Sequence, residues 1–128
     1  MKINDFMQWL KIQPAAADIP VELGAINGNK EKFIALVPIP LGDIQAIGSP
    51  SSYNVIGVSL RMRYGKNFTT AQNKLQELQS LFEKTENADM NGQLVYFMVN
   101  EGQPTYNGKD IKGVFEFTLK IKIFYERK

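Results

Sequence analysis

The chain of 128 residues contains no cysteine and no histidine. Without cysteine there is no disulfide framework, no thiolate nucleophile and no zinc finger. Without histidine there is no Ser-His-Asp or Cys-His pair, and no side chain that titrates near neutrality by default. Enzymatic chemistry would have to come from carboxylates, lysine, tyrosine or an external cofactor. The expectation is a protein that binds or builds rather than one that catalyses, and it is no enzyme.

Charge of one sign is also scarce. Fifteen Lys and Arg stand against thirteen Asp and Glu, a net charge of +2. Residues 61–128 carry most of the basic groups, but no polybasic arm forms that would neutralise nucleic-acid phosphates. Long apolar runs are missing too. The longest, Phe33 to Leu41, is interrupted by Pro38 and Pro40 and falls far short of the roughly 18 residues a membrane span requires. At the N-terminus, MKINDFMQWL places Asp5 and Gln8 where a signal peptide needs an apolar core. These absences predict synthesis in a cytoplasm and no membrane partner.

What is present is ordinary globular material: 44% hydrophobic, 22% charged, ten Gly and six Pro, at a length that fits one domain. Residues 3–12 read as a short amphipathic helix. Asn4 or Asp5 would cap it, Phe6, Trp9 and Leu10 form its apolar stripe, and Pro14 lies past its end. Val21 and Leu23 alternate with polar neighbours, the turn cluster Asn27-Gly28-Asn29 follows, and Phe33 to Ile39 is rich in strand formers. The spacing predicts two strands joined by a tight connection, with the prolines placing the second at an edge or at its end. Residues 41–52, LGDIQAIGSPSS, have no period and read as a long loop.

Tyr53 to Tyr64 is the clearest strand. Ile56, Val58, Leu60 and Met62 share one face; Gly57, Ser59, Arg61 and Arg63 share the other. After the turn Gly65-Lys66-Asn67, a helix begins at Thr69, where Thr69 and Gln72 have capping-box spacing. Ala71, Leu75, Leu78 and Phe82 form its core stripe. NADMNG signals a turn, Leu94 to Val99 a strand, and EGQPTYNGKD a loop or irregular hairpin. The last strand, from about Gly113 to Tyr125, sets Phe115, Phe117, Leu119, Ile121, Ile123 and Tyr125 against Glu116, Thr118, Lys120 and Lys122. No repeat is present. The expected fold is α+β: a single domain, 1–128, with a largely antiparallel sheet of about four to five strands. One long and one short helix pack on one of its faces.

The chemical candidates are few. Glu83, Glu86 and Asp89 lie at the end of the long helix in polar surroundings, so a solvated helix end explains them better than an acid/base pair. Arg61, Arg63 and Lys66 put three positive charges on one strand face and its turn. This fits an anion contact, but fits better a solvated face or salt bridges to a neighbouring chain. Lys120 and Lys122 make a similar stripe, suited to discouraging edge pairing. Gly24, Gly28 and Gly42 are spaced too widely for a phosphate-binding loop. Trp9 is expected as a docking anchor for the first helix. No catalytic, cofactor-binding or metal-binding residue is assigned, and no set of residues suggests a lined pocket. What remains is surface in excess of a monomer's needs: the 41–52 loop, the 100–110 hairpin, and a terminal strand long enough to overhang its neighbour.

The wording of the second half is more specific. Ile56-Gly57-Val58-Ser59-Leu60-Arg61-Met62-Arg63-Tyr64-Gly65-Lys66-Asn67 runs into the helix start Phe68-Thr69-Thr70-Ala71. Later, GQPTYNGKDIKGVFEF carries Gly108-Lys109-Asp110 and Gly113-Val114-Phe115 into the closing strand. With the N-terminal Trp-Leu helix, Val21-Glu22-Leu23-Gly24 and the Phe33–Pro40 strand, this resembles the minor capsid or tail terminator (head–tail joining) proteins of long-tailed bacteriophages and prophages of Gram-positive bacteria. The resemblance implies a virion structural protein of the tail or neck, a ring-forming homo-oligomer that is hexameric. Such a ring sits at the head-proximal end of the tail tube, stops tube polymerisation and joins tail to head. Its implied partners are further copies of itself, the major tail tube protein and the head connector protein, with DNA only passing through the lumen and no cofactor. Two alternatives stay open: another neck or connector protein of the virion, and a small-molecule-binding α+β domain of bacterial origin.

Overall fold

A computed structural model describes residues 1–40 and 53–127. The segment 41–52, expected to be a loop, lies outside the described residues. Helix α1 (Ile3–Lys11) and a 3₁₀ turn (Pro14–Ala16) lead into β1 (Val21–Leu23) and β2 (Lys32–Ile39). Then follow β3 (Tyr53–Tyr64), helix α2 (Phe68–Lys84), β4 (Glu86–Met90), β5 (Gln93–Asn100), β6 (Thr105–Lys109) and β7 (Phe115–Glu126). All seven strands join one mixed sheet in the order β1-β2-β3-β7-β5-β4, with β6 also on β7.

The sheet's spine is the antiparallel ribbon of β3 and β7, in register from Tyr53↔Glu126 to Arg63↔Glu116. The two-residue alternation expected of both strands is what the structure shows. Val58, Leu60 and Met62 of β3 and Phe117, Leu119, Ile121 and Ile123 of β7 are buried in one core. Both helices cover that same face. Ala71, Leu75, Leu78 and Phe82 of α2 are buried there, with Phe6, Met7 and Leu10 of α1. Each such apolar side chain contributes roughly 1.5–3 kcal/mol by leaving water. Trp9 lies half-buried with its ring stacked on Phe6 at 5.8 Å, the anchoring place expected of it.

The sheet is larger and less regular than expected, at seven strands rather than four to five. β4 takes in most of the segment NADMNG (87–92) read as a turn, and 101–110, read as a loop or irregular hairpin, contains β6, which pairs with β7. Polar residues form these strands because neighbouring strands supply ladder partners, so intrinsic preference is overridden by context. The tight β1–β2 connection is not a hairpin, because the two strands run parallel, Val21 opposite Ile34. With only three residues in β1, the chain has to travel back just about 10 Å, which residues 24–31 span.

The overhang expected of the terminal strand is absent. β3 lines one side of β7, while β6 and β5 lie end to end along the other, pairing with Phe115–Thr118 and Ile121–Tyr125. Since β7 is interior, Lys120 and Lys122 do not guard an edge. That task falls to β2. Ile34 donates its N–H to Pro20 and Leu36 accepts from Gly24, so the backbone N–H and C=O groups of the even-numbered residues of β2 point away from β3, toward the β1 side. Pro38 continues that series beyond the end of β1, presenting no donor to the open edge.

Two caps also differ from expectation. Lys2, not Asn4 or Asp5, is the first-cap residue of α1; Asp5 sits in the first turn and accepts the Lys2 N–H at 2.8 Å. Helix α2 starts one residue early, at Phe68, and its cap is Asn67, whose side chain accepts from Thr70 N–H at 3.0 Å. Asn outranks Thr as a cap, which accounts for the shift.

Candidate assembly surfaces

The face of the sheet away from the helices holds the basic residues that the sequence singled out. Arg63 is 2% exposed, and its guanidinium pairs with Asp110 at 2.7 Å and Glu116 at 2.6 Å. Its remaining donors go to the carbonyls of Lys30 and Gly28. Burial opposes the charge, but the bonds from Asp110 and Glu116 outweigh it and push the guanidinium further above its ordinary value. Asp110 is itself held low, first by the Val114 N–H, then, against some desolvation, by Arg63. Arg61 reaches Glu116 at 3.4 Å and Lys66 reaches Glu31 at 3.5 Å, both near solvent. The three cations therefore form no anion site: each meets a carboxylate of its own chain rather than of a neighbour. The Asp110 and Glu116 partners were missed. An Asp two residues before a Lys-Gly turn is an Asx-turn signal that could have drawn notice to the first.

A second ionic cluster sits where α2 meets the 3₁₀ turn. Tyr64 donates to Asp18, and Lys74 contacts Asp18 at 3.4 Å, Glu77 at 2.9 Å and the Ala15 carbonyl at 3.0 Å. Partial burial pushes Asp18 up, but the Tyr64 hydroxyl and Lys74 charge prevail and lower it. Burial and the Asp18 bond both raise Tyr64. Lys74 also rises, against desolvation, through Glu77 and Asp18. The cluster ties the N-terminal segment to α2.

The acidic residues at the end of α2 do not converge. Glu83 accepts from Asn100 at 3.1 Å, Asp89 accepts from the Gly92 N–H at 2.7 Å, and Glu86 is exposed. Among the described residues no group of His, Cys, Asp and Glu could hold a metal ion. Gly24, at φ +96°, and Gly28 serve turns. The sequence suggested no pocket, yet one open groove of 260 Å³ runs between α2 and the β5–β6 junction. Gln72, Gln76, Gln79 and Gln103 line it, over Phe68 and Tyr106. None of its lining side chains carries a charge, and Tyr106 is the one ionisable group among them.

Beyond the basic strip, the helix-free face turns apolar. Phe97 and Phe124 stack with centroids 4.5 Å apart, and Tyr53 tilts against Phe124 at 5.6 Å. Val55 is the register partner of Phe124, and exposed Val99 follows Phe97 on β5. Aromatic side chains left half in water on an otherwise polar surface mark a contact surface more than a reaction centre.

Among the described residues no helix is long and apolar enough to cross a membrane. No curated protein matches the sequence. One solved structure, which carries no functional name, is similar at 18% identity with a TM-score of 0.49, over 98% of this chain and 90% of that one. Likeness at that level bears on neither fold detail nor function. The family model for "Bacteriophage tail terminator protein" matches residues 6–127, from α1 to the end of β7. With nearly its whole length matched, the chain belongs to the bacteriophage tail terminator family, a structural family of the virion.

Proposed function

We propose that this chain assembles into a closed homo-oligomeric ring, a hexamer, at the head-proximal end of the tail tube. There it ends tube polymerisation and provides the surface on which the head docks. Its partners are neighbouring copies, the major tail tube protein and the head connector protein. The observation that carries the reading, beside family membership, is the division of the sheet into a helix-covered face and a bare face with an exposed aromatic patch. A ring is a heterologous assembly that closes, so each subunit needs two different complementary surfaces, and helices on one side leave the other free for one of them.

DNA passes through the lumen without being gripped. Arg61, Arg63 and Lys122 of the bare face already meet Glu116, Asp110 and Glu101, so these three make no free strip for phosphates. The uncharged groove beside α2 gives little support to a small-molecule-binding role. The test is tube assembly in vitro: major tail protein polymerised with this chain should give tubes bearing a ring at one end and no further growth there, seen by negative-stain electron microscopy. Tubes that lengthen unchecked and carry no terminal density would refute the reading.

A further inference from the structure

The β3–β7 ribbon carries two unpartnered apolar features at opposite ends, about 30 Å apart at ~3.3 Å per strand residue. At one end is the patch of Phe97, 44% exposed, and Val99, 41% exposed, with Phe124 and Tyr53. At the other is Ile111, wholly exposed at the tip of the β6–β7 hairpin. A lone exposed isoleucine needs no explanation by itself. This one is held unusually firmly. The Asp110 side chain accepts from Lys112 N–H at 2.9 Å and Val114 N–H at 3.0 Å, its backbone closes the turn with Val114 and Gly113, and its other oxygen is fixed by buried Arg63. Lys112 is tethered to the Gly28 carbonyl at 3.3 Å. A tip ordered in advance loses little conformational entropy on docking.

The charges around the two features are opposite. Ile111 stands between Lys109 and Lys112. The patch is rimmed by Glu86, cross-strand partner of Phe97, and by Glu126, cross-strand partner of Tyr53 and acceptor of the Leu94 N–H at 3.1 Å. Lys122, cross-strand partner of Val99, borders it too but pairs with Glu101 at 3.4 Å, which leaves the rim acidic in balance. We propose that the Ile111 tip of one copy seats on the Phe97–Phe124–Tyr53 patch of a second copy, head to tail. This rests on the ring reading and names its contact: knob and seat at opposite ends of one ribbon are the two different surfaces that a closing, heterologous assembly requires. Lys109 of the incoming tip faces the acidic rim, joined by Lys112 where it gives up the Gly28 carbonyl, fixing orientation as the apolar centre is buried.

Because the chain has no cysteine of its own, disulfide trapping reads the contact cleanly. The double variant Ile111→Cys/Val99→Cys, mildly oxidised, should give a ladder of dimer, trimer and higher species on a non-reducing gel. Each single variant should give no ladder. Absence of a ladder from the double variant, or dimers from Ile111→Cys alone at equal yield, would overturn the contact. In sedimentation, Ile111→Asp and Ile111→Ser should keep the fold and weaken self-association about tenfold or more. Mixing Ile111→Asp with Phe97→Ser should restore only a one-to-one dimer, since one intact knob meets one intact seat. If Ile111→Asp forms the same rings as the parent chain, this contact is wrong and the ring stands. If the parent chain neither associates nor caps tubes, the ring reading fails, and this contact with it.

Discussion

Arg63 and Arg61 are two residues apart on the same strand face, yet their energetic roles diverge. Arg61 is 44% exposed, and its 3.4 Å contact with Glu116 is a surface pair of the kind worth under about 1 kcal/mol. Arg63 is buried, and removing it strands two carboxylates and two loop carbonyls. Arg63→Met should therefore cost about 3 kcal/mol, the low end of the range for breaking a buried pair because Asp110 and Glu116 keep some water. Arg61→Ala should cost less than ~1 kcal/mol; urea denaturation distinguishes the two. Acid should act at the same place. Asp110 and Asp18 both titrate below the ordinary carboxylate value of 3.8. A depressed folded pKa means stability that is fully present above the unfolded value and is lost as pH falls through the folded one. Thermal unfolding followed by circular dichroism should show a steep loss below about pH 4, with a shallower slope in Asp110→Asn. A Tm that is flat from pH 5 to pH 2.5 would contradict this. The face on which Arg63 lies was legible from alternation alone. Its burial was not, because Glu116 is 53 positions away and only the β3–β7 register brings it into reach.

At the scale of elements, strong periods were legible and weak ones were not. The stripe Ala71, Leu75, Leu78 and Phe82 fixed α2's buried face in advance, since an apolar residue every three or four positions has only one arrangement on a helix. Leu78 has no exposed surface. Leu78→Asp should therefore bury a charge without a partner and unfold the domain, seen as loss of the cooperative thermal transition. A folded, soluble variant would refute the packing. By contrast β4 (Glu-Asn-Ala-Asp-Met) and β6 (Thr-Tyr-Asn-Gly-Lys) are spelled in turn-forming residues. Each also departs from regular strand geometry, with Asn87 at φ +50° and Gly108 at φ +103°. Such segments become strands because the long β5 and β7 beside them offer ladder groups, which is tertiary information. The parallel β1 was hidden for a related reason. Asn27-Gly28-Asn29 is a good turn sequence, and nothing local says that the chain returns alongside rather than folding back on itself.

For the whole molecule, the absence of cysteine and histidine removes their chemistry alone, while membership of a structural family makes the described surface the place to look for function. The aromatic patch and Ile111 flank the β3–β7 ribbon, whereas residues 41–52 join β2 to β3 at the patch end. Shortening that connection separates folding from assembly. Halving the length of a connection changes closure entropy by only about 0.6 kcal/mol, and β2 stays paired to β3 from Lys32↔Tyr64 to Ile39↔Gly57 whatever joins them. A variant with 41–52 cut to about half its length should thus unfold within a few degrees of the parent chain, since ~1 kcal/mol moves Tm by roughly 4–8 °C in a domain near this size. Ring formation on tube ends should fall sharply in the same variant if these residues contribute to subunit contacts. A shortened chain that no longer folds would show that the segment is packed as part of the domain. One that folds and caps tubes normally would show that assembly depends on the sheet surfaces alone, leaving Ile111 and the Phe97 patch as the contacts that close the ring.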